Sequence, residues 1–255
     1  MHCITRQCRK DNTMKLDTKM KAKLLTLGIS AVLFLGLLLM VQSYDVAAIG
    51  PMGTEIGFAQ LNGSVHDRLG TNLFWYDLTE IFGFLALGVC GLFGFTGLVQ
   101  LLKRRSLKEV DPEILALGVF YVLVIGCYVL FELVVINYRP VIMPGVEGVE
   151  ASFPSSHTML ICSVMGSTAM VLKQYVKRDA LRMGLQVGCV IVAVITVAGR
   201  LLSGVHWVTD IIGGVLLSCA LLALFSLLRD FFSVVLTRHN WEALDEEWDD
   251  EAEDL

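Results

Sequence analysis

Six long apolar blocks leave this chain few architectures: Leu24 to Val41, Ile81 to Leu102, Ile114 to Ile136, Thr158 to Leu172, Leu185 to Ala198 and Ile211 to Leu228. A helix needs roughly 20 mostly apolar residues to cross a bilayer, and only helices or closed barrels leave no backbone polar group unpaired there. The blocks therefore predict an all-α integral membrane protein, a bundle of six transmembrane helices. Composition agrees, with 55% hydrophobic residues and a mean hydropathy of +0.66. The fourth and fifth blocks are short and carry Ser, Thr or Gly, so they are expected to face protein more than lipid. A basic leader before the first block and Val46-Ala47-Ala48 after it have the layout of a signal peptide. The apolar run is too long for that, and the first block is read as a retained helix.

Lys and Arg are held on the cytoplasmic side of a membrane, so cations sort the connections. One side collects the leader (Arg6, Arg9, Lys10, Lys15, Lys19, Lys21, Lys23), the connection after the second block (Lys103, Arg104, Arg105, Lys108), that after the fourth (Lys173, Lys177, Arg178, Arg182), and Arg229 and Arg238. The other side keeps Arg68, Arg139 and Arg200. A multi-pass plasma-membrane protein with both termini cytoplasmic is expected. Its organisation divides into a basic N-terminal segment (1–22), a six-helix membrane domain (23–238) and an acidic tail (239–255) that reads as solvated and disordered. The basic clusters only flank apolar helices, which argues against nucleic-acid binding. The seven cysteines show no CxxC pair, and five lie inside predicted spans, so they read as small core residues.

At the outward face this topology gathers residues that are far apart in sequence. Tyr138-Arg139-Pro140 closes the third helix, Pro154-Ser155-Ser156-His157 opens the fourth, and Arg200 closes the fifth just before His206 and Asp210 open the sixth. The set suits a phosphate. Arginine offers a planar fork of donors to phosphate oxygens, and a helix N-terminus, for which Ser155 is a natural cap, adds free backbone N–H groups. Asp210 stands four residues after His206, so on one helical turn it could fix one ring nitrogen while the other attacks phosphorus. His157 is then left to protonate the leaving oxygen. The arginines can carry the phosphoryl charge, so no metal or other cofactor is called for.

These motifs resemble those of the type-2 phosphatidic acid phosphatase superfamily, which also includes the vanadium haloperoxidases. Its third motif is Ser-Arg-x5-His-x3-Asp and its second is Pro-Ser-Gly-His. The resemblance implies a six-helix bundle with its site at the outer leaflet. It makes His206 the phosphorylated nucleophile, Asp210 its orienter and His157 the general acid, with Arg139, Arg200, Ser155 and the Ser156 backbone as phosphate ligands. The substrate class implied is a lipid phosphate monoester or diphosphate, phosphatidate-like or polyprenyl such as undecaprenyl diphosphate.

Three positions depart from the pattern. Glu132 stands where the first motif has Lys, and it is expected to pair with Arg139 or Arg200 from the same helix face; Arg68 is a candidate to supply the lost positive charge. Ser156 replaces Gly, and Gly199 replaces Ser with the loss of a hydroxyl. Because of Glu132, a phospholipid-binding or transport protein without turnover stands as the alternative, and a phosphotransferase as a third reading. His66, Asp67 and Arg68 read as a polar loop, Trp75 and Tyr76 as interfacial anchors, and Trp207 as either an anchor or a pocket wall. Gly83, Gly88, Gly91, Gly94 and Gly97 read as a close-packing helix face. Oligomeric state and the role of the connection 43–71 are left open.

Overall fold

The computed structural model describes the backbone of residues 2–253 and the side chains of residues 18–236. The acidic tail, and the basic leader up to residue 17, lie outside the residues with described side chains. The helices are α1 (His2–Ser43), α2 (Ala59–Leu69), α3 (Leu73–Arg104), α4 (Pro112–Leu133), α5 (Ser156–Tyr175), α6 (Asp179–Leu202) and α7 (Val208–Glu253). Among the described residues there is no strand, only two isolated bridges.

Five helices, α1, α3, α4, α6 and α7, are long and apolar enough to cross a membrane, which corrects the expected count of six. The fourth expected span is α5, a 20-residue helix that runs from His157 at one end of the bundle to Tyr175 at the other but is less apolar than those five. It packs against α3, α4, α6 and α7 and buries Thr158, Ser163, Ser167 and Thr168. Ser167 and Thr168 return their hydroxyls to the Val164 carbonyl. A helix ringed by helices meets protein rather than hydrocarbon, so small polar side chains that bond their own backbone are tolerated there.

Two glycines set the fit of α7 on α5. A Cβ at Gly213 would stand 2.6 Å from the Phe153 ring, and one at Gly214 would stand 2.9 Å from the Ser155 carbonyl oxygen. The helix start thus lies directly on the segment leading into α5. The expected glycine face of α3 is corrected: only Gly83, against His157, and Gly97, against Ile114, have close neighbours, and Gly88, Gly91 and Gly94 face open space.

The bundle has two unlike ends. At one, Asp111 accepts from Gln100 (2.7 Å), Arg104 (3.0 Å) and Tyr175 (3.3 Å), tying α3, α4 and α5 beside the basic connections. At the other end α2 lies in the connection between α1 and α3, where a polar loop was expected. Its Asn62 is buried, donates to Thr209 Oγ1 at 2.9 Å and accepts from the Thr209 N–H at 3.3 Å. This clasp fastens α2 to the first turn of α7.

Candidate active site

Three separated segments meet at the α2 end. Residues 137–139 run antiparallel to 150–152, joined by Arg139 N–H to the Glu150 carbonyl (3.0 Å) and Ser152 N–H to the Asn137 carbonyl (2.9 Å). The turn between α6 and α7 docks on this pair: the Trp207 indole N–H donates to the Tyr138 carbonyl at 2.7 Å. The Ser155 N–H donates to the Asp210 carbonyl at 2.9 Å. Gly204, at φ +67, makes the turn possible, because a Cβ there would collide with the Gly70 carbonyl. Trp207 is 2% exposed, so it is a structural pin of this turn and neither an interfacial anchor nor an open pocket wall.

His206 lies on the turn, ahead of α7 rather than within it, and is buried. Its Nδ1 stands 3.8 Å from the Asp210 carboxylate, too far for a hydrogen bond. Ser152 lies between them: its hydroxyl donates to Asp210 Oδ2, so its oxygen is left to accept from His206 Nδ1 at 3.0 Å. The expected direct hold of Asp210 on His206 is thus corrected to a relay through Ser152. Asp210 also accepts from Asn137 (3.3 Å) and from the Trp207 N–H (2.9 Å), the latter a reciprocal cap of the helix start. With the proton on Nδ1, Nε2 keeps its lone pair, and it is buried with no hydrogen-bond partner among the described residues. Burial, with Arg200, Arg139 and His157 nearby, holds this imidazole well below the ordinary histidine range, so it is neutral at pH 7.

Arg200 is fully buried. One face of α3 receives it: Thr79 Oγ1 at 3.1 Å, Glu80 Oε1 at 3.1 Å, and the Tyr76 ring 5.1 Å from its guanidinium carbon. Tyr76 is therefore a partner of Arg200. Gly199 accounts for the tight fit, because a Cβ there would be 2.7 Å from Thr79 Cγ2. His157, on the first turn of α5, has Nδ1 2.6 Å from Arg200 Nη2 and Nε2 3.1 Å from Glu80.

The expected site residues gather here except Arg68. Arg139 is 3.9 Å from the Glu150 carboxylate, and its Nε–H, like that of Arg200, has no hydrogen-bond partner among the described residues. Ser155 is the N-cap of α5 and accepts from the Thr158 N–H at 3.5 Å; Ser156 is the first residue of that helix. Glu132, exposed in the last turn of α4, lines a narrow cleft with Ser152 and Ser156 and makes no ion pair among the described residues, since Glu150 and Glu80 are the carboxylates beside the two arginines. Arg68 is exposed on α2, away from these contacts, whereas His66 on the same helix packs edge-on to Trp207 with centroids 5.5 Å apart.

Sequence reasoning missed Ser152, Asn137, Thr79 and Glu80. A carboxylate at the edge of an apolar block was the available signal for Glu80. Beside His157 and Glu80 a cavity of about 290 Å³ runs between α3 and α4, walled by Gly83, Phe84, Leu87, Ile125 and Leu160. One polar end and apolar walls suit an amphiphile.

Residues 113–233 match the model of the PAP2 superfamily. Among solved structures, the chain is similar to the first transmembrane PAP2-type phosphatidylglycerolphosphate phosphatase from Bacillus subtilis, at 19% identity and a TM-score of 0.58 over 82% of this chain and 97% of that one. It is also similar to Aquifex aeolicus LpxE, at 22% identity and a TM-score of 0.32 over 66% of this chain and 92% of that one. The first of these is a likeness of fold. No curated protein matches the chain. The matched residues 113–233 carry all three motifs from Arg139 to Asp210, so that it is this part of the membrane protein, site included, that is similar to the PAP2 superfamily.

Proposed function

We propose that the protein is a lipid phosphatase that hydrolyses a phosphate monoester or diphosphate through a phosphohistidine on His206. The observation that carries this reading is the bare, buried, unpartnered Nε2 of a neutral histidine whose Nδ1 is fixed by Ser152 and Asp210. In the first step a bond forms from His206 Nε2 to phosphorus as the bond from phosphorus to the leaving oxygen breaks. That oxygen takes a proton from His157. Water then attacks phosphorus, gives a proton to His157 and releases phosphate and His206. Arg139 and Arg200 balance the charge on the transferring group.

The apolar cavity beside His157 supports a lipid over a soluble phosphate ester. The basic clusters at the opposite end support an orientation with both termini in the cytoplasm and the site outward, at the level of an outer-leaflet headgroup. A broad range covering phosphatidate-like and polyprenyl substrates fits a site whose charged groups suit the phosphate and whose walls are otherwise apolar. The test is phosphate release by the detergent-purified protein from phosphatidate, phosphatidylglycerophosphate and a polyprenyl diphosphate, for wild type, His206→Ala and Glu132→Lys. Release by wild type that disappears in His206→Ala supports the reading. No release by wild type, with activity gained in Glu132→Lys, overturns it in favour of a phospholipid-binding protein.

A further inference from the structure

Glu80 lies on α3, outside the matched residues 113–233, yet it touches two groups of the proposed machinery. Its Oε1 is 3.1 Å from His157 Nε2 and 3.1 Å from Arg200 Nη2, and Arg200 Nη2 is 2.6 Å from His157 Nδ1. A guanidinium only donates, so in this state His157 Nδ1 accepts and the ring proton sits on Nε2, aimed at Glu80. A neutral imidazole so arranged cannot serve as a proton donor, because giving up that proton would leave an imidazolate. His157 becomes an acid only when Nδ1 is also protonated, and that requires Arg200 to let go of it.

We propose that Glu80 is the positioning residue of the proton donor. It keeps hold of His157 through Nε2, so that when phosphate draws Arg200 away, the freed Nδ1 carries the proton to the leaving oxygen. The inference rests on the phosphatase reading above. Phosphate is the stronger acceptor for the guanidinium fork, and the Arg200 Nε–H already lacks a partner. Once Arg200 turns, Nδ1 takes a proton from solvent, and Glu80 faces the imidazolium as its counter-charge. As the phosphorus to leaving-oxygen bond breaks, the Nδ1 proton passes to that oxygen. In the second step the attacking water returns a proton to Nδ1, so the imidazolium is restored and the protons balance. A Cβ at Gly83 would stand 3.2 Å from His157 Nε2 and Cδ2, so α3 fixes the same ring edge that Glu80 holds.

The role separates from a purely structural one by leaving group. An alkoxide needs a proton to depart; a nitrophenolate does not. The experiment compares kcat/KM, which reports the first phosphorus–oxygen cleavage, for dodecyl phosphate and for a nitrophenyl phosphate bearing the same alkyl chain. Wild type, Glu80→Gln, Glu80→Asp and His157→Ala are measured in detergent. We expect Glu80→Gln and His157→Ala to lower the alkyl-to-aryl ratio at least tenfold, with Glu80→Asp recovering part of it and KM for the alkyl substrate nearly unchanged in Glu80→Gln. The ratio does not depend on the folded fraction, so a destabilised variant still reports. An unchanged ratio in Glu80→Gln, with both substrates lowered equally or neither lowered, overturns the role of Glu80 and leaves the phosphatase reading standing. No phosphate from either substrate with wild type overturns the phosphatase reading itself.

Discussion

Ser152 is the residue on which the geometry of His206 turns. Without its hydroxyl, Nδ1 faces a carboxylate 3.8 Å away, beyond hydrogen-bond reach, and the tautomer that leaves Nε2 bare is no longer enforced. Ser152→Ala is expected to lower kcat on the order of 10- to 100-fold with little change in KM. Asp210→Asn is expected to lower it further, on the order of 10²- to 10⁴-fold, measured as phosphate release under saturating lipid. Gly199 gives a second prediction. Gly199→Ser drives a Cβ to 2.7 Å from Thr79 Cγ2 and is expected to cost about 1–3 kcal/mol in stability, with most of the loss removed when Thr79 is also changed to Ser; thermal unfolding of the four proteins in detergent checks it. The residues that sequence identified, His206, Asp210, His157, Arg139 and Arg200, were legible because their chemistry and spacing are unusual in an apolar chain. Ser152 and Thr79 were not, since a lone hydroxyl beside a helix end has no spacing signal and acquires meaning only from the partner that folding brings to it. Glu132 is the converse case: its charge stood out, but it lies beside Ser152 and Ser156 and pairs with neither arginine.

The helices follow the same logic at the next scale. Apolar blocks located α1, α3, α4, α6 and α7, because a span in lipid must be apolar on every exposed side. Hydropathy under-reads α5, which meets other helices instead. It overlooks α2, an 11-residue helix whose N-cap position, Phe58, offers no side-chain cap and lies in the left-handed region. Yet α2 braces the turn that carries His206, through the paired bonds of Asn62 to Thr209. Asn62→Ala leaves the Thr209 N–H unpaired in a buried place and is expected to destabilise by about 1–3 kcal/mol. Unlike a remote core mutation, it is also expected to lower kcat; unfolding midpoints and turnover measured together check this.

For the whole molecule, charge ties the fold to the chemistry. Two arginines, one of them fully buried, stand among helices that are otherwise apolar, and the carboxylates Glu80 and Glu150 lie beside them as counter-charges. The same arginines help hold His206 neutral, which gives stability a pH dependence of definite sign. In the unfolded chain a histidine takes up its proton near pH 6.5; in the folded protein His206 does so only at lower pH. Between those values the unfolded state binds more protons. The stability contribution of His206 is therefore intact above about pH 6.5 and declines as pH falls toward the depressed folded value. His206→Asn is expected to show a smaller drop in unfolding midpoint between pH 7 and pH 5 than wild type, as measured by thermal scans in detergent.

The chemistry at His206 is tested most directly by chemical quench of the enzyme during turnover of a lipid carrying labelled phosphate. Label bound to the protein, stable in alkali and released in acid, is the signature of phosphohistidine. The mechanism predicts such label in wild type and none in His206→Ala. Turnover by wild type without bound label when hydrolysis of the intermediate limits the rate, or label that persists in His206→Ala, would contradict it.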